Sequence, residues 1–155
     1  MTMANDLRRS KQPKYVIQPG YQLSTVNGIH YGSKIIYDGR EGIVCHGPYV
    51  DFAKGSYEAI VRINWISGES GELYFAARCD HGKSRIAVEK RDIGDLESGE
   101  HAITLALDLP EDIHDLEFLC EAHCRGRVRL SIDEVVITRV GPSWRSEQPQ
   151  RVRAA

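Results

Sequence analysis

The chain is 155 residues long, with 41% hydrophobic and 27% charged residues and a formal net charge of −2 at pH 7. This is the composition of one globular domain, and because it carries no excess of positive charge, it argues against nucleic-acid binding. No apolar stretch approaches the ~20 residues that a membrane-spanning helix requires. The N-terminal residues lack the apolar core of a secretory signal, so the cytoplasm is the expected compartment by default.

The two ends of the chain differ in composition from its middle. Residues 1–14 are polar and charged, and residues 141–155 are rich in Pro, Arg and Gln. Segments of this kind are commonly solvated. We therefore expect a flexible N-terminal arm over residues 1–14, one β-sandwich domain over residues 15–140, and a C-terminal tail over residues 141–155.

The middle of the chain alternates apolar and polar residues, which is the pattern of half-buried β-strands. Five successive runs show apolar residues at every second position, and these runs begin at Tyr57, Leu73, Ile103, Leu116 and Val128. In the last run the apolar parity changes after Asp133, which predicts a β-bulge at that point. Many short strands of this kind predict an all-β fold, an antiparallel two-sheet β-sandwich.

Glycine-containing segments between these runs predict turns. The segment Ser67 to Gly71 predicts a hairpin turn that pairs the strand ending near Trp65 with the strand beginning at Leu73. The best helical candidate is Pro110 to Glu117, where a proline and acidic residues open the segment. An irregular loop is the alternative for that segment.

The cysteines and histidines raise the question of a metal site. Cys45 and His46 are adjacent, but they point to opposite faces of a strand, and no C-x2-C or H-x3-H pair is present. The interpretation that we favour treats the cysteines as small buried apolar residues, with no metal bound. The alternative is a metal site at a strand end, built from Cys79, His81, His123 and Cys124.

One combination of motifs resembles a known family. A Gly55-Ser56-Tyr57 opener leads into a strand that ends near Trp65, and the closing strand reads RLSIDEVVI from Arg129 to Ile137. This combination resembles non-catalytic carbohydrate-binding modules with a galactose-binding-like jelly roll, over about Ile35 to Val140. The resemblance implies a two-sheet jelly roll whose ligand site lies on loops at one end or on a concave sheet face. The stretch GPYVDFAKGSYEAIVRI also resembles accessory β-sandwich segments of bacterial sugar-transfer and polysaccharide-export proteins.

Two groups of polar residues are candidates for a ligand site. Arg62, Tyr74 and Arg78 share one face if the two strands that carry them pair, and planar guanidinium groups suit sugar hydroxyls. A second group lies near strand ends: Tyr37, His46, Tyr49, Asp51 and His81. The alternative is that these residues only stabilise turns and an exposed sheet face through cross-strand charge pairs. We expect no resident cofactor, with calcium as the one ion for which clustered oxygens of this kind are suited.

Catalysis is not predicted. The sequence contains no Gly-x-Ser-x-Gly nucleophile motif and no glycine-rich phosphate loop. The function predicted is therefore a non-catalytic carbohydrate-binding accessory domain with a role in bacterial polysaccharide or glycan handling. The alternative is a structural or protein-interaction β-sandwich that assembles as a homo-oligomer, or with a larger protein partner, through its sheet edges or the tail that carries Trp144.

Overall fold

The computed structural model describes residues 14–143. It consists of eight strands, one short helix and one 3-10 turn. The elements in chain order are β1 (Lys14–Ile17), α1 (Pro19–Gln22), β2 (Ile29–Tyr31), β3 (Lys34–Gly39), β4 (Gly42–Phe52), β5 (Gly55–Cys79), β6 (Ser84–Asp92), the 3-10 turn (Ile93–Asp95), β7 (Gly99–Leu109) and β8 (Ile113–Gly141). The predicted N-terminal arm lies outside the described residues except for Lys14, as does the predicted tail from Trp144 onward.

The two long strands, β5 and β8, run through both layers of a sandwich. In the first layer, residues 55–68 of β5 lie between β7 and residues 128–141 of β8, which also pair with β1 and β3. The short strand β2 pairs with β3. In the second layer, residues 70–79 of β5 lie between β6 and residues 113–125 of β8, which pair in turn with β4. All of these pairings are antiparallel, so the predicted two-layer, all-β fold is confirmed.

The segment Ser67 to Gly71 is a bend within β5 and not the predicted hairpin turn. Pairing with β8 continues through it, with register shifts on either side of Gly68. The glycines here allow neighbouring atoms to approach the backbone closely. A Cβ on Gly68 would lie 2.7 Å from the Trp65 ring, and one on Gly71 would lie 2.2 Å from the carbonyl oxygen of His123. A local pattern of glycines does not distinguish this bend from a chain reversal, because both need small residues.

The core lies between the two layers, and the alternation in the sequence identifies its members. Val61, Leu105 and Ile132 of the first layer face Phe75 and Phe118 of the second across a small void. Trp65 is also buried. Burial of each such side chain contributes about 1.5–3 kcal/mol, so this interior is the main source of stability.

The bulge predicted at Asp133 is confirmed. On β5, Arg62 and Ile63 are consecutive, but their partners on β8 are Glu134 and Ile132. Asp133 is therefore the additional residue on β8. Because of it, the inward-facing parity changes, so that both Ile132 and Val135 are buried.

The prediction of a helix or loop over Pro110 to Glu117 is correct for only part of the segment. Residues 110–112 connect β7 to β8, and β8 begins at Ile113. Leu116 is buried and pairs with Val50 of β4. Pairing with a distant strand thus overrides the local helical preference. Among residues 14–143, no helix has the length and apolar character needed to span a membrane.

A candidate ligand-binding face on the second layer

The outer face of the second layer brings together four of the predicted site residues. Along β5, Tyr74 and Arg78 alternate with core residues and therefore point outward. Arg78 lies opposite Glu117 of β8, and Glu117 lies opposite the β4 segment that carries His46 and Tyr49. We name the five residues His46, Tyr49, Tyr74, Arg78 and Glu117 the polar face.

The polar face has an apolar centre. Ala76 of β5 and Leu119 of β8 lie opposite each other, and their positions alternate with inward-facing residues. Both are nevertheless buried, because the larger neighbouring side chains cover them. The face therefore has a buried apolar centre surrounded by polar and aromatic side chains.

A continuous chain of hydrogen bonds connects four residues of the polar face. Arg78 donates from Nε and Nη2 to Oε1 of Glu117, at 2.8 Å and 2.7 Å. The hydroxyl of Tyr49 donates to Oε2 of Glu117 at 2.6 Å, and Nδ1 of His46 lies 2.7 Å from the same hydroxyl. Glu117 is only 4% exposed, so its charge is balanced within this network and not by solvent.

The direction of these bonds fixes the tautomer of His46. Tyr49 has one hydroxyl proton and gives it to the Glu117 carboxylate, so Nδ1 of His46 must carry a proton and donate it to the tyrosine oxygen. In the neutral imidazole, Nε2 is then the acceptor. The His46 side chain is 28% exposed, so its ring is within reach of a ligand.

Tyr49 is held as a neutral phenol. Burial, together with the hydrogen bond and the negative charge of Glu117, raises the pKa of Tyr49 to about 12. At neutral pH the hydroxyl therefore remains a hydrogen-bond donor and does not act as a base or nucleophile.

The backbone of Tyr49 is in an unusual conformation. Its φ is 64°, in the left-handed region that bulky residues rarely adopt. It follows the cis Gly47–Pro48 peptide, and the register between β4 and β8 shifts between Pro48 and Val50, so that Tyr49 is a bulged residue. Such a conformation costs about 1–3 kcal/mol and is most often found at functional sites. Here it directs the side chain toward Glu117.

Tyr74 forms the other aromatic part of the polar face. Its ring packs edge-on against His123, with 4.5 Å between the ring centroids, and Nζ of Lys90 lies 5.3 Å from the Tyr74 centroid. These contacts come from β8 on one side and β6 on the other. They hold the Tyr74 ring in place on the same outer face, four residues along β5 from Arg78.

Four of the eight predicted site residues do not belong to this face, and two of them, Tyr37 and Arg62, lie away from it. Tyr37 is buried in the core, where its hydroxyl donates to the carbonyl of Arg40, so it is not available to a ligand. Arg62 is exposed on the first layer, with its Nε 3.7 Å from Glu134. Its predicted grouping with Tyr74 and Arg78 depended on a hairpin at residues 67–71, and the bend found there places them on different layers.

Asp51 and His81 lie at the end of the second layer, beyond the row formed by Arg78 and Glu117. Asp51 is 3.5 Å from Nδ1 of His114. The backbone N–H groups of Asp80 and His81, both at positive φ, donate to the carboxylate of Asp115 at 2.8 Å and 2.6 Å. The hydrogen bond from His81 is the main cause that lowers the pKa of Asp115. These residues flank the polar face without joining its hydrogen-bonded chain.

The alternative metal site at a strand end is not formed. Cys79 ends β5, whereas Cys124 lies opposite Gly71, eight residues earlier on the same strand and thus about 26 Å away. Within residues 14–143, no group of three or more His, Cys, Asp or Glu side chains is placed to hold a metal ion.

The set of predicted site residues lacks two residues that stand out in the structure. The sequence suggests Glu117, the centre of the hydrogen-bonded chain, only as an extension of the face of Tyr74 and Arg78, because its central position depends on pairing with both β4 and β5. Tyr31 was also missed, although it is 69% exposed. Tyr21, on α1, is also exposed. A hydrogen bond from Gly20 to Ser33 connects α1 to the turn that follows Tyr31. The only sequence signal was the pair of glycines, Gly20 and Gly32, which approach closely.

Comparisons with known proteins connect this fold to others. No protein-family model and no curated protein sequence matches the chain. Among solved structures, the chain is similar to the C-terminal CBM6 of LamC, a marine laminarinase from Zobellia galactanivorans, with a TM-score of 0.56 and 13% identity over 81% of this chain and 99% of that one.

Two further solved structures with similar folds belong to larger proteins. The arabinose-bound MgGH51 α-L-arabinofuranosidase has a TM-score of 0.51 and 11% identity, over 76% of this chain and 23% of the enzyme. The VP2 subviral particle of infectious bursal disease virus has a TM-score of 0.51 and 8% identity, over 88% of this chain and 34% of the viral chain. At these identities the likeness concerns the fold. The chain has a jelly-roll β-sandwich of the kind found in carbohydrate-binding modules.

Proposed function

We propose that this protein is a non-catalytic carbohydrate-binding domain and that the polar face of its second layer is the glycan site. The observation that carries the proposal is the hydrogen-bonded chain from His46 through Tyr49 and Glu117 to Arg78, on the same outer face as the Tyr74 ring. The finer part of the proposal, a role in bacterial polysaccharide or glycan handling, rests on the sequence of residues 47–63 alone.

Sugar recognition requires two kinds of surface, and the polar face offers both. The C–H faces of a pyranose pack on aromatic rings, and Tyr49 is 46% exposed. The hydroxyl groups need fixed donors and acceptors, and the Arg78 side chain is 30% exposed while its head group is held by Glu117. Because these groups are already ordered, binding costs little additional side-chain entropy.

The same geometry supports a binding role over a hydrolytic one. Glycoside hydrolysis generally uses two carboxyl groups, one of them as a proton donor to the leaving group. Glu117 is buried and accepts hydrogen bonds from both Arg78 and Tyr49, so its carboxyl oxygens are already engaged and are shielded from a ligand. Its role in the proposed site is to position Arg78 and Tyr49.

Glycan binding and site mutagenesis test this proposal. A broad panel of neutral and charged polysaccharides is screened with the wild-type protein, and the best ligand is then measured by calorimetry against Tyr49→Ala and Tyr74→Ala. Loss of one aromatic contact of about 0.5–1.5 kcal/mol corresponds to roughly 2- to 12-fold weaker binding. Tyr31→Ala is the matched control, because Tyr31 is an exposed tyrosine on the strand pair β2–β3 of the first layer.

The outcomes distinguish whether the protein binds glycans from whether the polar face is the binding site. Weaker binding for the two polar-face variants with unchanged binding for Tyr31→Ala supports both. Weaker binding for Tyr31→Ala alone shows that the protein binds glycans but that the polar face is not the site. No binding across the panel by a folded protein contradicts the proposed function.

A second candidate function, assembly with another protein chain, is favoured by one specific observation. Five of the exposed large apolar side chains lie within residues 21–36: Tyr21, Val26, Ile29, Tyr31 and Ile36. Within the described part of the chain, β2 forms an edge of the sheet, and all three of its residues are exposed. An exposed apolar edge strand is a common site of strand pairing between chains.

Light scattering after size-exclusion chromatography tests this second function. A homo-oligomer through β2 is expected to dissociate in Tyr31→Lys, because a charge on the edge strand opposes pairing. Removal of residues 144–155 tests the contribution of the Trp144 segment and leaves intact the hydrogen bond from Ser143 to Asp108. A wild-type monomer at all concentrations contradicts self-assembly, and binding to another protein then needs a separate pull-down with purified partners.

A further inference from the structure

Cys45 and Cys120 lie directly opposite each other on adjacent antiparallel strands. Cys45 belongs to β4 and Cys120 to β8, and the two are register partners. Both are buried and both line the same void between the layers, so the two side chains point to the same side of the sheet. The structure describes both as free thiols.

The general geometry of such a pair is compatible with a disulfide. Directly opposite residues in antiparallel strands have Cα atoms about 4.5–5.5 Å apart, and disulfides span about 4.4–6.8 Å. The Cβ atoms of such pairs lie about 4.5–5.5 Å apart, slightly more than the 3.5–4.5 Å of most disulfides. The register between β4 and β8 shifts between Ile43 and Cys45, so β4 is locally irregular at the point where the two Cβ atoms must move slightly closer.

We propose that Cys45 and Cys120 are a disulfide-forming pair that links β4 to β8 when the chain folds in the presence of a small-molecule disulfide oxidant. The thiolate of one cysteine attacks the oxidant, which forms a mixed disulfide and releases one small thiol. The thiolate of the other cysteine then attacks the protein sulfur, closes the Cys45–Cys120 bond and releases the second small thiol. The protein loses two protons and two electrons, and the oxidant is reduced to two thiols.

The other two cysteines are not arranged for this reaction. Cys79 lies opposite Ser84, and Cys124 lies opposite Gly71, so neither has a cysteine as a cross-strand partner. Both are partly exposed, whereas Cys45 and Cys120 are in the core. The pairing specificity therefore comes from strand register.

The burial of the pair determines when the bond can form. Burial raises the pKa of Cys45 to about 12 and raises the pKa of Cys120 well above its usual value. In the folded protein the two thiols are thus protonated and inaccessible, and a thiol reacts only as its thiolate. The bond forms during folding, before the two layers close, and the folded reduced protein reacts slowly.

The position of the bond links it to the polar face. Cys45 immediately precedes His46, and Cys120 is three residues from Glu117 on the same strand. A cross-link there fixes β4 against β8, the two strands that hold the Tyr49–Glu117 hydrogen bond. The disulfide itself does not rest on the proposed function and is tested without any ligand.

The test compares refolding with oxidation of the native state. The Cys79→Ser/Cys124→Ser variant is unfolded under reducing conditions and refolded in a glutathione redox buffer. We expect loss of the mass of two hydrogen atoms and a proteolytic peptide that joins positions 45 and 120. Because the closed loop contains about 75 residues, the cross-link is expected to add about 4.5 kcal/mol, and we expect a Tm about 9–18 °C higher than in dithiothreitol. Folded reduced protein in the same buffer is expected to retain both thiols over the time that refolding requires.

Controls make every outcome decisive. Cys45→Ala in the same background removes one sulfur and is expected to show no redox-dependent Tm shift. If the background variant refolds poorly, the wild-type chain mapped by non-reduced peptides gives the same answer. Two free thiols after oxidative refolding, a cross-link to Cys79 or Cys124 in the wild type, or a lower Tm in the oxidised protein overturns the proposal. Equally fast cross-linking of the native state overturns its timing.

Discussion

Removal of Arg78 tests whether the buried carboxylate of Glu117 depends on its partner. Arg78→Met keeps most of the aliphatic length but leaves Glu117 with Tyr49 as its remaining donor within the hydrogen-bonded chain. Breaking a buried ion pair from one side costs about 3–5 kcal/mol. Because the Arg78 side chain is 30% exposed, water reaches part of the site, and we expect a smaller loss of about 2–3 kcal/mol. For a domain of this size, this lowers Tm by about 4–12 °C.

A double-mutant cycle separates this effect from general damage. Glu117→Leu removes the buried charge, so Arg78→Met should cost much less in that background, with a coupling free energy of about 1–2 kcal/mol. The assay is urea unfolding followed by tryptophan fluorescence, to which the buried Trp65 contributes. Arg62→Met is the matched control, since the Arg62 side chain is 56% exposed and lies 3.7 Å from Glu134, and its loss is expected to cost under about 0.5 kcal/mol. Additive effects of the two substitutions refute the reasoning.

Two further predictions concern the turn and the bend that shape the second layer. The folded-state pKa of Asp115 is lowered, so its stabilisation is present above the unfolded pKa and is lost as the pH falls through the folded pKa. Asp115→Asn should therefore lower the free energy of unfolding by about 0.5–1 kcal/mol at pH 7. The difference in Tm between this variant and the wild type should shrink toward pH 3. A Tm difference that stays constant with pH contradicts this prediction. Gly71→Ala should cost about 2 kcal/mol more stability than Gly99→Ala. Both glycines have positive φ, but of the two only Gly71 lies against backbone, where a Cβ would be 2.2 Å from the His123 oxygen. Equal Tm changes for the two variants rule out this close approach as the reason for the glycine.

The sequence predicts the core of this protein well because core position depends on local alternation. The run from Tyr57 to Trp65 and the parity change at Asp133 both follow from the pleat of a strand, and both are confirmed. The burial of Tyr37 follows the same rule, because it shares parity with the buried Ile35. Tyr37 was nevertheless predicted as a site residue, because it lies near other polar residues in the sequence.

The arrangement of the strands and of the site is less accessible from sequence, because both depend on long-range pairing. Ser67 to Gly71 has the residues of a turn, and only the pairing of β5 with β8 shows that the chain bends there and continues. In the same way, His46 and Tyr49 were predicted in one group of candidates and Arg78 in another. They meet through Glu117, which is 68 residues from Tyr49 and 39 from Arg78.

The measurement that tests the central claim most directly is an NMR titration of the amide-labelled protein with the glycan selected by the binding panel. If the polar face is the site, the largest shift changes occur at residues 46–50 of β4, 74–78 of β5 and 117–121 of β8, which adjoin on the second layer. Changes confined to β2 and β3 around Tyr31, or spread evenly over both layers, contradict the claim.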